Sequence, residues 1–178
     1  MHNITEHKHR FAAWAASRAS SVKGCRFKVE KGKSILDNSS LKQISNIDAL
    51  PNPEDFDKKH KEWRMEIIEL AGKQGLNNFT HGIAAKLINI YLKTIFVCGG
   101  FHDNVKVMAI HPPVDEILLK GLAKENVGAR RKVWIEARKN RWSKFNSSQY
   151  EKVIINIKDS LPKNTGLWSI EEYWKGFQ

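Results

Sequence analysis

The fold depends on one stretch of sequence, Gly82-Ile83-Ala84-Ala85-Lys86-Leu87-Ile88-Asn89-Ile90-Tyr91-Leu92-Lys93-Thr94-Ile95-Phe96. It is apolar on nearly every side of a helix, a pattern typical of a helix in the middle of a domain. The polar exceptions Lys86, Asn89 and Lys93 follow at i, i+3 and i+7 and form one narrow polar stripe. We therefore predict a buried central helix over residues 81–97, with three polar side chains that need partners.

The segments on both sides of this stretch also favour helices. Further helices are predicted over 9–21, 31–37, 39–46, 53–72, 116–124, 128–140, 147–160 and 168–176. No internal repeat or low-complexity segment interrupts them. The predicted fold class is all-α. We expect one compact domain over residues 1–178, with two lobes around a cleft and a candidate lobe boundary near residues 50–53.

Positive charge is concentrated in one segment. The chain has 30 Lys and Arg against 19 Asp and Glu, a net charge of +11. Residues 124–144 hold eight basic and two acidic side chains, with aromatic residues interleaved. This composition suits phosphate contact and base stacking, although a solvated amphipathic helix would look similar. The candidate DNA-binding side chains in it are Arg130, Arg131, Lys132, Arg138 and Arg141.

Several classes of protein are disfavoured. Two cysteines are too few for a disulfide scaffold, a four-thiolate zinc site or an iron–sulfur cluster. No carboxylate cluster has metal-ligand spacing, so we expect neither metal nor cofactor. The longest apolar run, around residues 87–97, is interrupted by Asn89 and Lys93, and no secretory signal is present. We expect a monomeric cytoplasmic protein that binds double-stranded DNA and no membrane.

Lys86 is the candidate nucleophile. Burial disfavours an ammonium group, so a lysine inside a domain tends toward the neutral, nucleophilic amine. The alternative is a side chain that extends to the surface or pairs with a carboxylate.

The central stretch resembles the helix–hairpin–helix of DNA glycosylases in the endonuclease III superfamily. Five residues stand in register with that pattern: Gly82, Lys86, Asn89, Leu92 and Phe96. Pro113-Val114-Asp115 resembles the proline-valine-aspartate that follows the hairpin, where the aspartate is catalytic and caps the next helix. The two matches lie within residues 82–115, and they imply a central helix–hairpin–helix.

The sequence departs from the family pattern at four points. Ala84 replaces a second glycine, His81 replaces a proline, and Ile117 replaces a histidine. The iron–sulfur cysteines are absent. The lysine and aspartate are 29 residues apart, which is closer to the archaeal 8-oxoguanine glycosylases than to endonuclease III.

The resemblance implies a mechanism. Backbone N–H groups near Gly82 and Ala84 would grip a phosphate while the target nucleotide is flipped out of the duplex. Lys86 would attack C1′, Asp115 would stabilise the oxocarbenium charge, and the Schiff base would permit strand cleavage. A plain structural salt bridge between Lys86 and Asp115 is the alternative.

The base pocket and the substrate are less constrained. The N- and C-terminal walls offer Trp14, Glu171 and Trp174, any of which could instead serve core packing or lie on the surface. One form of the glycosylase hypothesis is an antiviral enzyme that removes glucosylated hydroxymethylcytosine from phage DNA. The alternatives are an 8-oxoguanine-type repair glycosylase with AP lyase activity, a non-catalytic DNA-binding module, and an RNA-binding protein or nuclease.

Overall fold

The computed structural model describes residues 3–177 and confirms the all-α class. Eight α-helices follow one another: α1 (Ile4–Ser20), α2 (Val29–Asp37), α3 (Phe56–Lys73), α4 (His81–Leu92), α5 (Val105–Met108), α6 (Glu116–Lys124), α7 (Arg131–Asn140) and α8 (Ser147–Ser160). Short 3-10 helices lie at Ser40–Gln43, Ile47–Ala49, Val127–Ala129, Trp142–Lys144 and Leu167–Tyr173. Over residues 3–177 the sequence therefore predicts the helical segments well, with errors mostly at their ends.

The central helix is buried as predicted. Every residue from 82 to 89 is buried, and α4 packs against both α1 and α3. On α1 the facing residues are Ala12, Ala13 and Ala16, none of which is exposed. Small side chains let two helix backbones approach closely, so the alanine-rich composition of α1 places it directly on α4.

The helix continues beyond its predicted end. After α4 the chain runs through a π-helical segment, Lys93–Phe101, in which Gly100 adopts a left-handed φ of 93°. The combined helix His81–Phe101 has 21 residues, and its most apolar 18-residue window has a mean hydropathy of 1.4, so its length and composition would allow it to cross a membrane. However, 61% of its most apolar window is buried inside the protein, and a core helix passes the same test.

The buried apolar side chains form two clusters. The first gathers α1 to α5, and the second gathers α6 to α8 with the last 3-10 helix. Residues on both sides of 50–53 belong to the first cluster, and the second begins along the chain near Val114, apart from Ala85. The division between the clusters therefore does not coincide with the lobe boundary predicted at 50–53.

Candidate active site

Lys86 and Asp115 meet where the two apolar clusters join. On α4 the residue before Lys86, Ala85, belongs to the second cluster, and the residue after it, Leu87, belongs to the first. Lys86 is 8% exposed, and its Nζ donates to Asp115 Oδ2 at 3.1 Å. The polar stripe of α4 thus brings an amine to a carboxylate 29 residues further along the chain.

Asp115 is held by three donors. It is the N-cap of α6, and its Oδ1 accepts from the backbone N–H of Leu118 at 2.9 Å. Its Oδ2 accepts from Lys86 and also from the indole Nε1 of Trp174 at 3.1 Å. An N-cap position fixes the backbone of the aspartate and lets the helix dipole stabilise its negative charge.

Two indoles cover this pair. Lys86 Nζ lies 4.4 Å from the centre of the Trp142 ring, within the range of a cation–π contact. Trp174 lies on the Asp115 side through its hydrogen bond. Only 10% of the Lys86 side chain and 14% of the Asp115 side chain are exposed. The amine and the carboxylate are therefore close to water but mostly shielded from it.

Trp142 is positioned by an unusual backbone. The preceding residue, Arg141, has φ 58° and ψ 114°, a conformation that L-residues rarely adopt. The Trp142 carbonyl lies so close to α4 that a Cβ built on Gly82 would be 1.8 Å from its oxygen. Glycine at position 82 therefore allows the segment that carries Trp142 to lie on the first turn of α4.

The same segment also affects the phosphate contact predicted for the backbone N–H groups of Gly82 and Ala84. The Gly82 N–H donates to the Phe145 carbonyl at 3.3 Å, the Ile83 N–H to the Thr80 hydroxyl at 3.2 Å and the Ala84 N–H to the Thr80 carbonyl at 2.9 Å. These donors are satisfied within the protein, and Gly82 and Ala84 are buried. Neither Gly82 nor Ala84 therefore has a free N–H for a phosphate in this conformation, and a phosphate contact there remains a prediction.

A second, partly buried ion pair lies near the first. Lys93, the last polar residue of the stripe, pairs with Glu171, while Glu171 Oε1 is buried and has no hydrogen-bond partner. Burial raises the pKa of the Glu171 carboxyl, the charge of Asp115 adds to the shift, and Lys93 opposes it. A cavity of about 540 Å³ is lined by both members of this pair and by Trp168.

The third stripe residue, Asn89, anchors the loop before Asp115. Its Nδ2 donates to the Pro112 carbonyl at 2.9 Å and to Tyr150 Oη at 3.0 Å. Its Oδ1 lies 2.8 Å from His60 Nε2, which must therefore be the protonated nitrogen of that ring. Asn89 thus ties α4 to a backbone position only three residues before Asp115.

The network continues from Tyr150 to the surface. Because Tyr150 Oη accepts from Asn89, its own proton is directed to His111 Nδ1 at 3.0 Å, and His111 Nε2 donates to Asp57 at 2.9 Å. Burial lowers the pKa of His60 well below its ordinary value. Burial also lowers the pKa of His111, although the Asp57 carboxylate raises it in part. Neutral histidines therefore hold this loop.

The predicted DNA-binding side chains fall into two groups. Arg130 pairs with Asp159, and Arg138 pairs with Glu116. Arg131 donates to the carbonyls of Ala123 and Lys124 at the end of α6, so it has a structural role. By contrast, Lys132 and Arg141 are exposed and form no ion pair with the part of the chain that the structure describes.

The predicted base-pocket residues are also divided. Glu171 and Trp174 lie beside the Lys86–Asp115 pair, as described above. Trp14 instead is 50% exposed on α1 and packs against Phe11 with a ring separation of 5.7 Å. Over residues 3–177, no contact joins Trp14 to the pair. Within the same residues, no group of three or more His, Cys, Asp or Glu side chains could hold a metal ion.

Two parts of the site have no clear sequence signal. Trp142 and Lys86 are 56 positions apart, and Lys93 and Glu171 are 78 positions apart. The polar stripe on α4 shows that Lys93 and Asn89 need partners, but it does not show which side chains supply them.

Comparison with known proteins adds no further constraint. No protein-family model matches the chain, and no curated protein or solved structure is significantly similar to it.

Proposed function

We propose that this protein is a DNA glycosylase that uses Lys86 and Asp115 to release a modified base from double-stranded DNA. The observation that carries the proposal is the 3.1 Å contact between a buried amine and a carboxylate fixed at a helix N-cap. Such a pair places a nucleophile beside a group that can accept its proton. The resemblance of the α4 and Pro113–Asp115 segments to helix–hairpin–helix glycosylases supports the same reaction.

The proposed reaction uses the contact between Lys86 and Asp115. Asp115 Oδ2 accepts a proton from Lys86 Nζ, which frees the nitrogen lone pair to attack C1′ of a flipped nucleotide. The bond between C1′ and the base breaks, and its electron pair leaves with the base, which then takes up a proton. Asp115 passes the proton that it received from Lys86 to the departing base, and the carboxylate so restored stabilises the positive charge on the sugar. Opening of the deoxyribose ring gives an imine with Lys86, from which strand cleavage can follow.

The neighbouring groups supply a place for the base. The unpartnered Oε1 of Glu171 can accept a hydrogen bond from a base edge, and burial raises the pKa of this carboxyl. Trp174 offers a stacking surface once its N–H releases Asp115. The cavity of about 540 Å³ beside Glu171 leaves room for a substituent on the base. Glucosylated hydroxymethylcytosine therefore suits the proposal at least as well as 8-oxoguanine.

The DNA backbone would be held by the exposed basic side chains that follow Asp115. Lys132 and Arg141 are free to contact phosphates, and Arg141 directly precedes Trp142 at the pair. Arg130 and Arg138 are in partly exposed ion pairs, which cost little to exchange for phosphate contacts. In this proposal the basic segment, and not the N-terminus of α4, binds the DNA backbone.

The proposal is tested by trapping the imine. The protein would be incubated with duplexes that each carry one modified base, including glucosylated phage DNA, in the presence of borohydride. A reduced covalent complex is expected, with the adduct mapped to Lys86 by mass spectrometry. Lys86→Ala should trap none, whereas Lys132→Ala should trap with lower affinity. An adduct on another lysine, or no adduct and no abasic sites on any duplex, would refute the proposal.

A non-catalytic DNA-binding module is the second candidate. It is favoured by the two indoles that cover the pair and by the internal hydrogen bonds at the start of α4. It predicts that native protein and Lys86→Ala bind duplex DNA equally well and that neither releases a base. Preference for RNA over duplex DNA at equal salt would instead favour the RNA-binding hypothesis.

A further inference from the structure

A cavity on the other side of α4 is lined by residues with no part in the proposed reaction. It lies between the start of α1, the 42–48 segment and the second half of the central helix, and its volume is about 480 Å³. That size is within the range of small-molecule sites. Its apolar lining residues include Ile44, Ile47, Ile95 and Phe96.

Two buried polar side chains also line this cavity. His9 is 8% exposed and Tyr91 is 2% exposed. His9 Nε2 lies 2.7 Å from an Asp37 carboxylate oxygen, and His9 Nδ1 lies 2.9 Å from Tyr91 Oη. Because a carboxylate only accepts, His9 Nε2 donates to Asp37, and His9 Nδ1 shares one hydrogen bond with Tyr91 Oη. The Tyr91 oxygen is then left with an unused acceptor position.

Some of the charged side chains at the cavity rim form ion pairs, and others do not. Glu6 is paired with Arg10 at 2.6 Å, and the Lys42 ammonium lies 3.6 Å from Asp37. Lys8 forms no ion pair within residues 3–177 and lies 5.9 Å from the centre of the Phe101 ring. Asp48 also lines the cavity and is exposed to solvent.

From this arrangement we infer a second ligand site, for a small aromatic molecule that carries an N–H or O–H donor and an acidic substituent. The ring packs against the isoleucine and phenylalanine side chains. The donor binds the free acceptor position of Tyr91, and the acidic substituent lies beside Lys8. The site does not depend on the proposed glycosylase activity, because none of its lining residues belongs to the Lys86–Asp115 pair.

Anilinonaphthalene sulfonate is a suitable probe, since it combines an aromatic body, one N–H donor and one acidic group. Fluorescence titration of the full chain should give saturable binding at a single site. Tyr91→Phe removes the acceptor and should weaken binding about tenfold, the effect of one hydrogen bond. Naphthalene sulfonate, which lacks the N–H, should bind native protein and Tyr91→Phe with equal affinity.

Matched variants complete the test. Tyr173→Phe makes the same chemical change outside the cavity and should leave binding unchanged, as should Lys86→Ala. Ile47→Trp fills the cavity from a partly exposed position and should abolish binding even if Tyr91→Phe does not fold. If Ile47→Trp binds the probe like native protein, or a folded Tyr91→Phe does, the inference is wrong. The probe would then be bound by exposed apolar surface such as Phe11 and Trp14.

Discussion

Two polar centres lie on the same stripe of α4, and they differ in what surrounds them. Lys86 lies at the junction of the two apolar clusters, where it meets a carboxylate and is covered by indoles. Asn89, one turn later, is fully buried and joins neutral partners. An amide with every donor and acceptor satisfied stabilises a fold. A charged pair at a cluster boundary contributes little stability but remains open to chemistry.

The largest expected effect is on stability at Asn89. Asn89→Leu would leave His60 Nε2 and the Pro112 carbonyl without a partner and would leave Tyr150 with only its bond to His111. Each unsatisfied buried group costs roughly 1–3 kcal/mol. We expect a loss of about 4 kcal/mol in the free energy of unfolding, measured by urea denaturation.

The matched variant is Lys86→Met, because Asp115 keeps the donors on Leu118 and Trp174. It should cost less, roughly 3 kcal/mol, the lower end of the range for a buried ion pair that loses one partner. Equal losses for the two variants would remove the distinction between the centres and favour a plain structural salt bridge at Lys86.

A substitution at Gly82 tests whether close packing on α4 holds the Trp142 segment over Lys86. Gly82→Ala would place a Cβ 1.8 Å from the Trp142 carbonyl oxygen, so the backbone segment must move. We expect a loss of about 3 kcal/mol in stability, as for other overpacked sites. Gly72→Ala is the control, because no atom lies within 4 Å of the added Cβ on the exposed face of α3. That variant should gain about 0.5–1 kcal/mol.

The Asn89 centre should make stability depend on pH. Burial lowers the pKa values of His60 and His111 in the folded protein, whereas the unfolded chain binds their protons below about pH 6.5. Stability is therefore complete above that pH and falls as the pH drops through the folded pKa values, by up to about 1.4 kcal/mol per pH unit for each histidine.

Urea denaturation between pH 7 and pH 5 measures this slope. His81, whose pKa is also lowered by burial, adds to it in the same direction. His111→Gln should reduce the slope by the share of one histidine. An unchanged slope in that variant would show that His111 does not titrate with unfolding.

The smallest effect concerns DNA binding beside the Lys86 centre. Arg141→Ala should weaken binding a few-fold and reduce the slope of log affinity against log salt by about 1. Arg131→Ala is the comparison, because its side chain holds the end of α6 and its loss should lower stability. If Arg141→Ala leaves the salt slope unchanged, the phosphate path does not pass by Trp142.

Local sequence patterns predicted much of this structure because they act within one helix. The apolar positions Phe56, His60, Trp63, Ile67 and Leu70 recur at steps of four and three, which predicts α3; the first four are buried and Leu70 is partly buried. Asp115 precedes α6 as its N-cap, and the predicted helices over 116–124 and 147–160 match α6 and α8. Helix caps and apolar periodicity depend on neighbours three or four residues away, so they can be recognised without tertiary information.

Where the structure differs from the sequence-based expectation, the cause is a contact with a distant segment of the chain. Ala84 and Gly82 look available for a phosphate in sequence, but the distant segment around Trp142 and Phe145 occupies that surface. Arg131 looks like a DNA contact, but it binds carbonyls at the end of α6. In both cases a group that could bind a ligand finds a partner inside the protein first.

The sequence by itself determined that α4 is buried and that its polar stripe must carry Lys86, Asn89 and Lys93, because helical periodicity fixes which side chains share a face. Only the tertiary structure decided that Asp115 meets Lys86, that Glu171 meets Lys93 and that indoles cover the first pair. The physical reason is separation along the chain. These partners are brought together by the packing of two apolar clusters, and no local pattern encodes that packing.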